Sequence, residues 1–163
     1  MRTAIYVRVA VETPDEDHAM VSQLEALRRY AAENGMVIIE EFADQGYSGL
    51  SLDRPGLDRM RDLAQSGGFD VLLTSGADRI ARNHALLVLV IEELERFGVK
   101  TIFLEGGGVD DPLWRLMRPF TVEESELERV KVAERCRRGK PSRAQCAGID
   151  PAAWTAALLQ RWS

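Results

Sequence analysis

A chain of 163 residues with a hydrophobic content of 45% has room for one domain with a proper core and a short appendage, but not for two full domains. A formal charge of −5 argues against a protein that coats nucleic acid indiscriminately, because that behaviour needs a basic face. The longest apolar stretches, such as Ala85 to Ile91, are broken by charge well before the roughly 20 residues of a membrane span.

In chain order, Ala4 to Val9 reads as a buried strand, entered directly from Met1-Arg2-Thr3 without the apolar segment and cleavage site of a leader; a cytoplasmic protein with no membrane contact is expected. Met20, Leu24, Leu27 and Ala31 then recur at helical spacing until Gly35 supplies a stop. Val37 to Phe42 predicts a second strand. After a polar loop, Pro55 opens a helix carrying Leu57, Met60 and Leu63, closed by Gly67 and Gly68. Val71 to Thr74 is a third strand. Leu86, Leu87, Val90, Ile91, Leu94 and Phe97 share one helical face before Gly98, and Thr101 to Leu104 is a fourth strand. Such alternation predicts an α/β fold with a mainly parallel four- or five-stranded sheet flanked by helices. Sites in such sheets lie beyond the carboxyl ends of the strands.

Gly106, Gly107 and Gly108 form the clearest joint, so the expected organisation is a domain over 1–105 and a glycine hinge over 106–111. A long helix over 112–140 follows, with Leu113, Leu116, Met117, Phe120, Leu127 and Val130 on its apolar face and Pro119 kinking or dividing it. Residues 141–163 form a short tail, in which Asp150-Pro151 reads as the start of one helix bearing Trp154, Leu158 and Trp162. From Arg129 to Arg143 the chain carries Arg129, Lys131, Arg135, Arg137, Arg138, Lys140 and Arg143 against a single acid, Glu134. This basic stripe reads either as a DNA-contacting surface or as a solvated helix end whose cations suit the helix dipole. Cys136 and Cys146 form no CxxC pair and sit near no histidine cluster; reduced thiols, no metal and no cofactor are expected.

Four motifs in order then carry a resemblance. Tyr6-Val7-Arg8-Val9-Ala10 ends the first strand; Ser22-Gln23-Leu24 lies in the first helix; Asp44 to Gly49 and Leu52-Asp53-Arg54-Pro55-Gly56-Leu57 follow the second strand; Asp78-Arg79-Ile80-Ala81-Arg82-Asn83 follows the third. Together with Leu113 to Met117 and Glu128 to Arg135, these resemble the catalytic domain of the serine recombinases of the resolvase and invertase kind. The resemblance covers roughly residues 3 to 140. It implies a long C-terminal helix for dimerisation and approach to DNA, with Leu113, Leu116, Met117, Phe120, Leu127 and Glu128 in self-association. It also implies an active site of Arg8, Arg54, Arg79 and Arg82, with Asp78 orienting or balancing them and Gln23 beside them, working without metal or cofactor. The residue types suit the chemistry, because arginine's planar fork stays charged and holds two phosphate oxygens at once.

Ala10 departs from that pattern, standing where the family carries its nucleophilic serine, and it has no oxygen with which to bond DNA. Thr13 is displaced from the in-line position, and Ser75 reads as loop structure. After Gly148 too little chain remains for a helix-turn-helix. The leading expectation is therefore a catalytically silent homodimer or tetramer that binds DNA phosphates, an active recombinase or another protein partner. Two alternatives stand beside it: an active site-specific recombinase whose serine was mutated or whose chain was truncated, and a pure protein-interaction module.

Overall fold

The computed structural model describes residues 1–10, 14–105 and 123–146, and the side chains of 1–10, 18–105 and 123–139. Four strands, β1 (Arg2–Val9), β2 (Val37–Gln45), β3 (Val71–Thr74) and β4 (Lys100–Phe103), form one parallel sheet in the order β2-β1-β3-β4. Of the four or five strands expected, the described residues hold four. β1 is central and buried along its length after Arg2, as the unbroken apolar run requires of a strand covered on both faces. β2 lies at an edge and continues three residues past the Phe42 expected from sequence. The ladder carries it on, since Arg8 and Val9 pair with Asp44 and Gln45.

The helices are α1 (Pro14–Glu33), α2 (Pro55–Gln65), the four-residue α3 (Ala77–Ile80) and α4 (His84–Arg96). Right-handed crossovers set their placement: the chain leaves β1 toward β2 in one direction and returns past β1 to β3 in the other, so α1 lies on one face and α2 and α4 on the opposite face. Under α1, Ile5, Val7, Val71 and Leu73 meet Leu27 and Ala31. Tyr6 and Arg8 alternate with Ile5 and Val7 and therefore point to the other face. There α2 and α4 are joined by a partly buried ion pair in which buried Arg61 donates from Nε to Glu93 Oε2 at 3.0 Å.

Helix ends follow from simple chemistry. Gly35 and Gly98 end α1 and α4 with φ of 62° and 77°, and the N–H groups of Met36 and Val99 reach back to the carbonyls of Ala31 and Leu94 at 2.9 Å, satisfying two orphaned acceptors. α4 begins two residues before Leu86, the first residue of its predicted apolar face, where Asn83 caps it by accepting from Leu86 N through Oδ1 at 3.1 Å.

The chain divides into two compact units between Leu127 and Glu128, and α5 (Glu124–Cys146) is described by itself. It begins inside the expected 112–140 helix and runs past residue 140. Gly106 to Gly108, Leu113, Leu116, Met117, Pro119, Phe120 and the helix expected from Asp150 lie outside the described residues.

Candidate phosphate-binding site at the sheet switch point

The strand order reverses between β1 and β3, so their carboxyl ends flank the crevice where α/β sheets present ligands. Arg8, one residue from the end of β1, is fully buried. Its three nitrogens donate to three main-chain carbonyls: Nη1 to Tyr47 at 2.7 Å, Nη2 to Asp78 at 3.1 Å and Nε to Arg79 at 3.2 Å. Arg54, just before α2, is buried too. Its Nη1 donates to the Tyr6 hydroxyl and to the Arg79 carbonyl, each at 2.9 Å, and its Nη2 to the carbonyl of Ile80. Both arginines therefore hold α3 and the turn leaving it.

Behind them lies a buried polar chain. The Tyr6 hydroxyl donates to Asp44 Oδ2 at 2.8 Å, and the Asp44 carboxylate also accepts from the N–H groups of Gly56 at 2.8 Å and Leu57 at 2.9 Å, in the first turn of α2. Arg54 occupies the N-cap position without capping it by side chain, so Asp44 satisfies those amides from a distant strand. Burial pushes the Tyr6 phenol far above its ordinary range. Burial likewise pulls the Arg8 and Arg54 guanidinium groups down, and Arg54, Arg82 and Arg79 add their repulsion at Arg8. Arginine stays charged even so. Arg8 has carbonyls as partners and cations as neighbours, an environment that favours an anion.

Arg79 and Arg82 are placed differently. Arg79 retains 27% of its side-chain exposure; Nη1 donates to the Arg8 carbonyl at 3.3 Å, and Nε faces Asp78 Oδ2 at 3.7 Å, too far for a hydrogen bond. Asp78 and Arg82 are exposed. The loop between β2 and α2 links the two sets, because Gly49 accepts from Arg82 N at 2.9 Å through its carbonyl. A Cβ at Gly49 would sit 2.9 Å from Arg82 Cγ and 3.1 Å from Arg8 Nη2, so no other residue fits there unmoved. Val9, whose carbonyl accepts from Gly46 N at 3.1 Å, precedes the half-buried Ala10. Gln23 accepts from the Ser75 hydroxyl at 3.3 Å, tying α1 to the end of β3. Among buried side-chain atoms, Arg54 Nε, Thr74 Oγ1 and Arg79 Nε have no hydrogen-bond partner.

The structure thus brings Arg8, Arg54, Arg79, Arg82 and Asp78 together, with Gln23 joined to Ser75. Of the residues expected on the long helix, Arg129 and Arg135 are exposed and Arg138 is half-buried. Lys131 pairs with Glu128 at 3.6 Å and Arg137 with Glu134 at 2.7 Å. The basic stripe is therefore partly neutralised within its own helix. Leu127 is half-buried and Glu128 exposed, and the Lys140 side chain lies outside the described residues. Sequence reasoning passed over Tyr6, Asp44 and Gly49 as site residues. One signal was available: a helix starting at Pro55 with arginine, not Ser, Thr, Asp or Asn, before it needs its cap from elsewhere.

Comparison with known proteins decides the family, since the description "Resolvase, N terminal domain" matches residues 3–148. The chain belongs to the resolvase N-terminal domain family. This resolvase-type domain is 29% identical over 141 residues to the Transposon Tn3 resolvase of Escherichia coli, a match covering 86% of the chain and 70% of that protein. It is 30% identical over 138 residues to a protein of Bacillus subtilis (strain 168) named as a candidate DNA recombinase, covering 84% of the chain but only 27% of that protein's length. Among solved structures, the N-terminal catalytic domain of TP901-1 integrase superposes with a TM-score of 0.62 at 25% identity, covering 83% of this chain and 97% of the other. The C-terminal catalytic domain of ISC1926 TnpA, an IS607-like serine recombinase, gives 0.60 at 28% identity, covering 74% and 78%. The four-stranded parallel sheet flanked by helices is the resolvase-like fold. No helix among the described residues is long and apolar enough to cross a membrane.

Proposed function

We propose that this resolvase-type domain binds DNA phosphates without cutting the strand and regulates or accompanies DNA recombination. The observation that carries this reading is a division within one site: beside the end of β1, Arg82 is exposed and Arg79 partly exposed while Arg8 and Arg54 are buried, and the residue after that strand, Ala10, offers no oxygen. Serine recombinase chemistry needs an alkoxide-like nucleophile, charge stabilisation on the non-bridging oxygens and a proton for the leaving oxygen. Only the second of these has an evident source here. Losing the nucleophile of a covalent enzyme costs on the order of 10⁶ in turnover. In this reading Arg8 and Arg54 spend their donors on carbonyls and so fix α3, while Arg79 and Arg82 meet the phosphate, with Asp78 and Gln23 orienting the surrounding loops. Self-association as a homodimer or tetramer through residues 112–138, DNA contacts from the basic stripe, and pairing with an active recombinase belong to the same proposal.

The test is binding of the purified chain to genomic DNA fragments across a salt series, beside the Arg79→Glu, Arg82→Glu double variant. Salt-sensitive binding that the double variant loses is expected. Equal binding by the two proteins would instead favour a pure protein-interaction role for this site. A phosphoserine-type adduct is expected only from Ala10→Ser; strand cleavage by the wild-type chain would overturn the silent reading.

A further inference from the structure

The loop between β2 and α2 carries two exposed apolar side chains, Tyr47 at 38% and Leu50 at 69% of full exposure. Isolated surface apolar residues are common and need no explanation. These two differ in being held by the site itself. The Tyr47 carbonyl accepts from buried Arg8 at 2.7 Å, the Gly49 carbonyl accepts from the Arg82 amide at 2.9 Å, and the Arg82 stem lies against Gly49. Further along, Ser48 Oγ accepts from Leu50 N at 3.2 Å, Ser51 Oγ from Asp53 N at 3.1 Å, and Leu52 is buried. The backbone is thus fixed on both sides of two side chains that contribute little to the core.

An exposed aromatic side chain on a loop bonded to the main chain of exposed Arg82, with partly exposed Arg79 three residues before it, matches the combination that holds single-stranded nucleic acid, where cations track the backbone and bases stack on rings. Tyrosine suits the role because its two side-chain torsions cost little to order. In intact duplex the base faces are already stacked on one another. Only an unpaired or unstacked base has a face to offer, and Leu50 would cover the flank of such a base as apolar wedges do in distorted DNA.

We infer that Tyr47 and Leu50 form a stacking platform for an unpaired base adjoining the phosphate at Arg79 and Arg82, so that the domain prefers DNA containing an unpaired nucleotide to intact duplex. This inference rests on the phosphate-binding reading above. Its ligand class is DNA with a bulge, a gap or a single-stranded tail.

The experiment uses the full chain with a duplex and with the same duplex carrying a single bulged 2-aminopurine, and it compares wild type, Tyr47→Ala, Tyr47→Trp and the Arg79→Glu, Arg82→Glu variant. Wild type is expected to bind the bulged probe more tightly and to quench its fluorescence. Tyr47→Ala should weaken binding to the bulged probe by about 5- to 100-fold, abolish the quench and leave duplex affinity within about twofold, while Tyr47→Trp restores both signals. Equal weakening on both probes would make Tyr47 a structural residue and overturn the platform. Duplex binding that the arginine variant loses, without any preference for the bulge, would sink this inference alone. Absence of binding to either probe would remove the phosphate reading and the platform with it. Matching thermal unfolding of Tyr47→Ala and wild type excludes misfolding as the cause of a loss.

Discussion

Arg8 and Arg54 are 0% and 1% exposed and give their donors to main-chain carbonyls and the Tyr6 hydroxyl, whereas Arg79 keeps 27% of its side chain in solvent and Arg82 is exposed. The four belong to neighbouring motifs and sit within one site, yet their surroundings separate them into a buried pair and a more exposed pair. A buried guanidinium needs several acceptors to offset its desolvation, and the carbonyls of Tyr47, Asp78, Arg79 and Ile80 supply them. Meeting those carbonyls fixes α3, and fixing α3 aims the outer pair. The difference teaches that a motif arginine cannot be assigned to a ligand until its acceptors have been counted.

The sharpest way to break the comparison is to test the buried pair as a frame for α3. Asp44→Ala strips the partner from the Tyr6 hydroxyl and from the Gly56 and Leu57 amides, and Arg54→Met orphans the carbonyls it holds. Each should cost about 3–5 kcal/mol in urea unfolding, the range for breaking a buried charged network, and a loss below about 1 kcal/mol would show that the buried pair is not a frame. Gly49→Ala comes next, because its Cβ meets one arginine of each set. An unfolding cost of about 1–3 kcal/mol is expected, accompanied by weaker DNA binding as the Arg82 stem is displaced.

Neutralising the outer pair should do the opposite. Arg79→Gln and Arg82→Gln are expected to change stability by no more than about 0.5 kcal/mol each. Together they should lower the slope of log affinity against log salt by about two, one per phosphate contact. A large stability loss here would place these residues with the frame. The smallest effect concerns the exposed ion pairs remote from the site. The Arg28 guanidinium holds Glu41, and that of Arg2 holds Asp70, below the ordinary carboxylate range. A depressed carboxylate stabilises the fold above its unfolded pKa, and that stability disappears as pH falls through the folded value. Melting temperature should therefore fall on acidification below about pH 4.5, and Arg28→Gln should shallow that acid limb slightly.

Much of the architecture was legible because it depends on local periodicity. The unbroken run of β1, the 3.6-residue spacing of Leu24, Leu27 and Ala31, and glycines 35, 67 and 98 each declare an element or its end within a few residues. α3 was not legible, since four residues show no period and that turn exists where Arg8 and Arg54 grip its carbonyls. The extension of β2 was equally hidden, because pairing with Arg8 and Val9 decides it.

For the site, the order and type of the motif residues determined by themselves that Arg8, Arg54, Arg79 and Arg82 form a candidate cluster and that Ala10 carries no nucleophile. Those statements concern chemistry intrinsic to each side chain. Which arginines are buried, that the Asp44 carboxylate serves both Tyr6 and the first turn of α2, and that a side chain at Gly49 would press on Arg82 and Arg8 were decided only by tertiary structure. The reason is separation along the chain: Arg8 meets Tyr47 across 39 residues and Asp78 across 70, while Arg54 meets Ile80 across 26. Burial and hydrogen-bond partners are properties of the assembled sheet and its crossovers, and no local pattern encodes them.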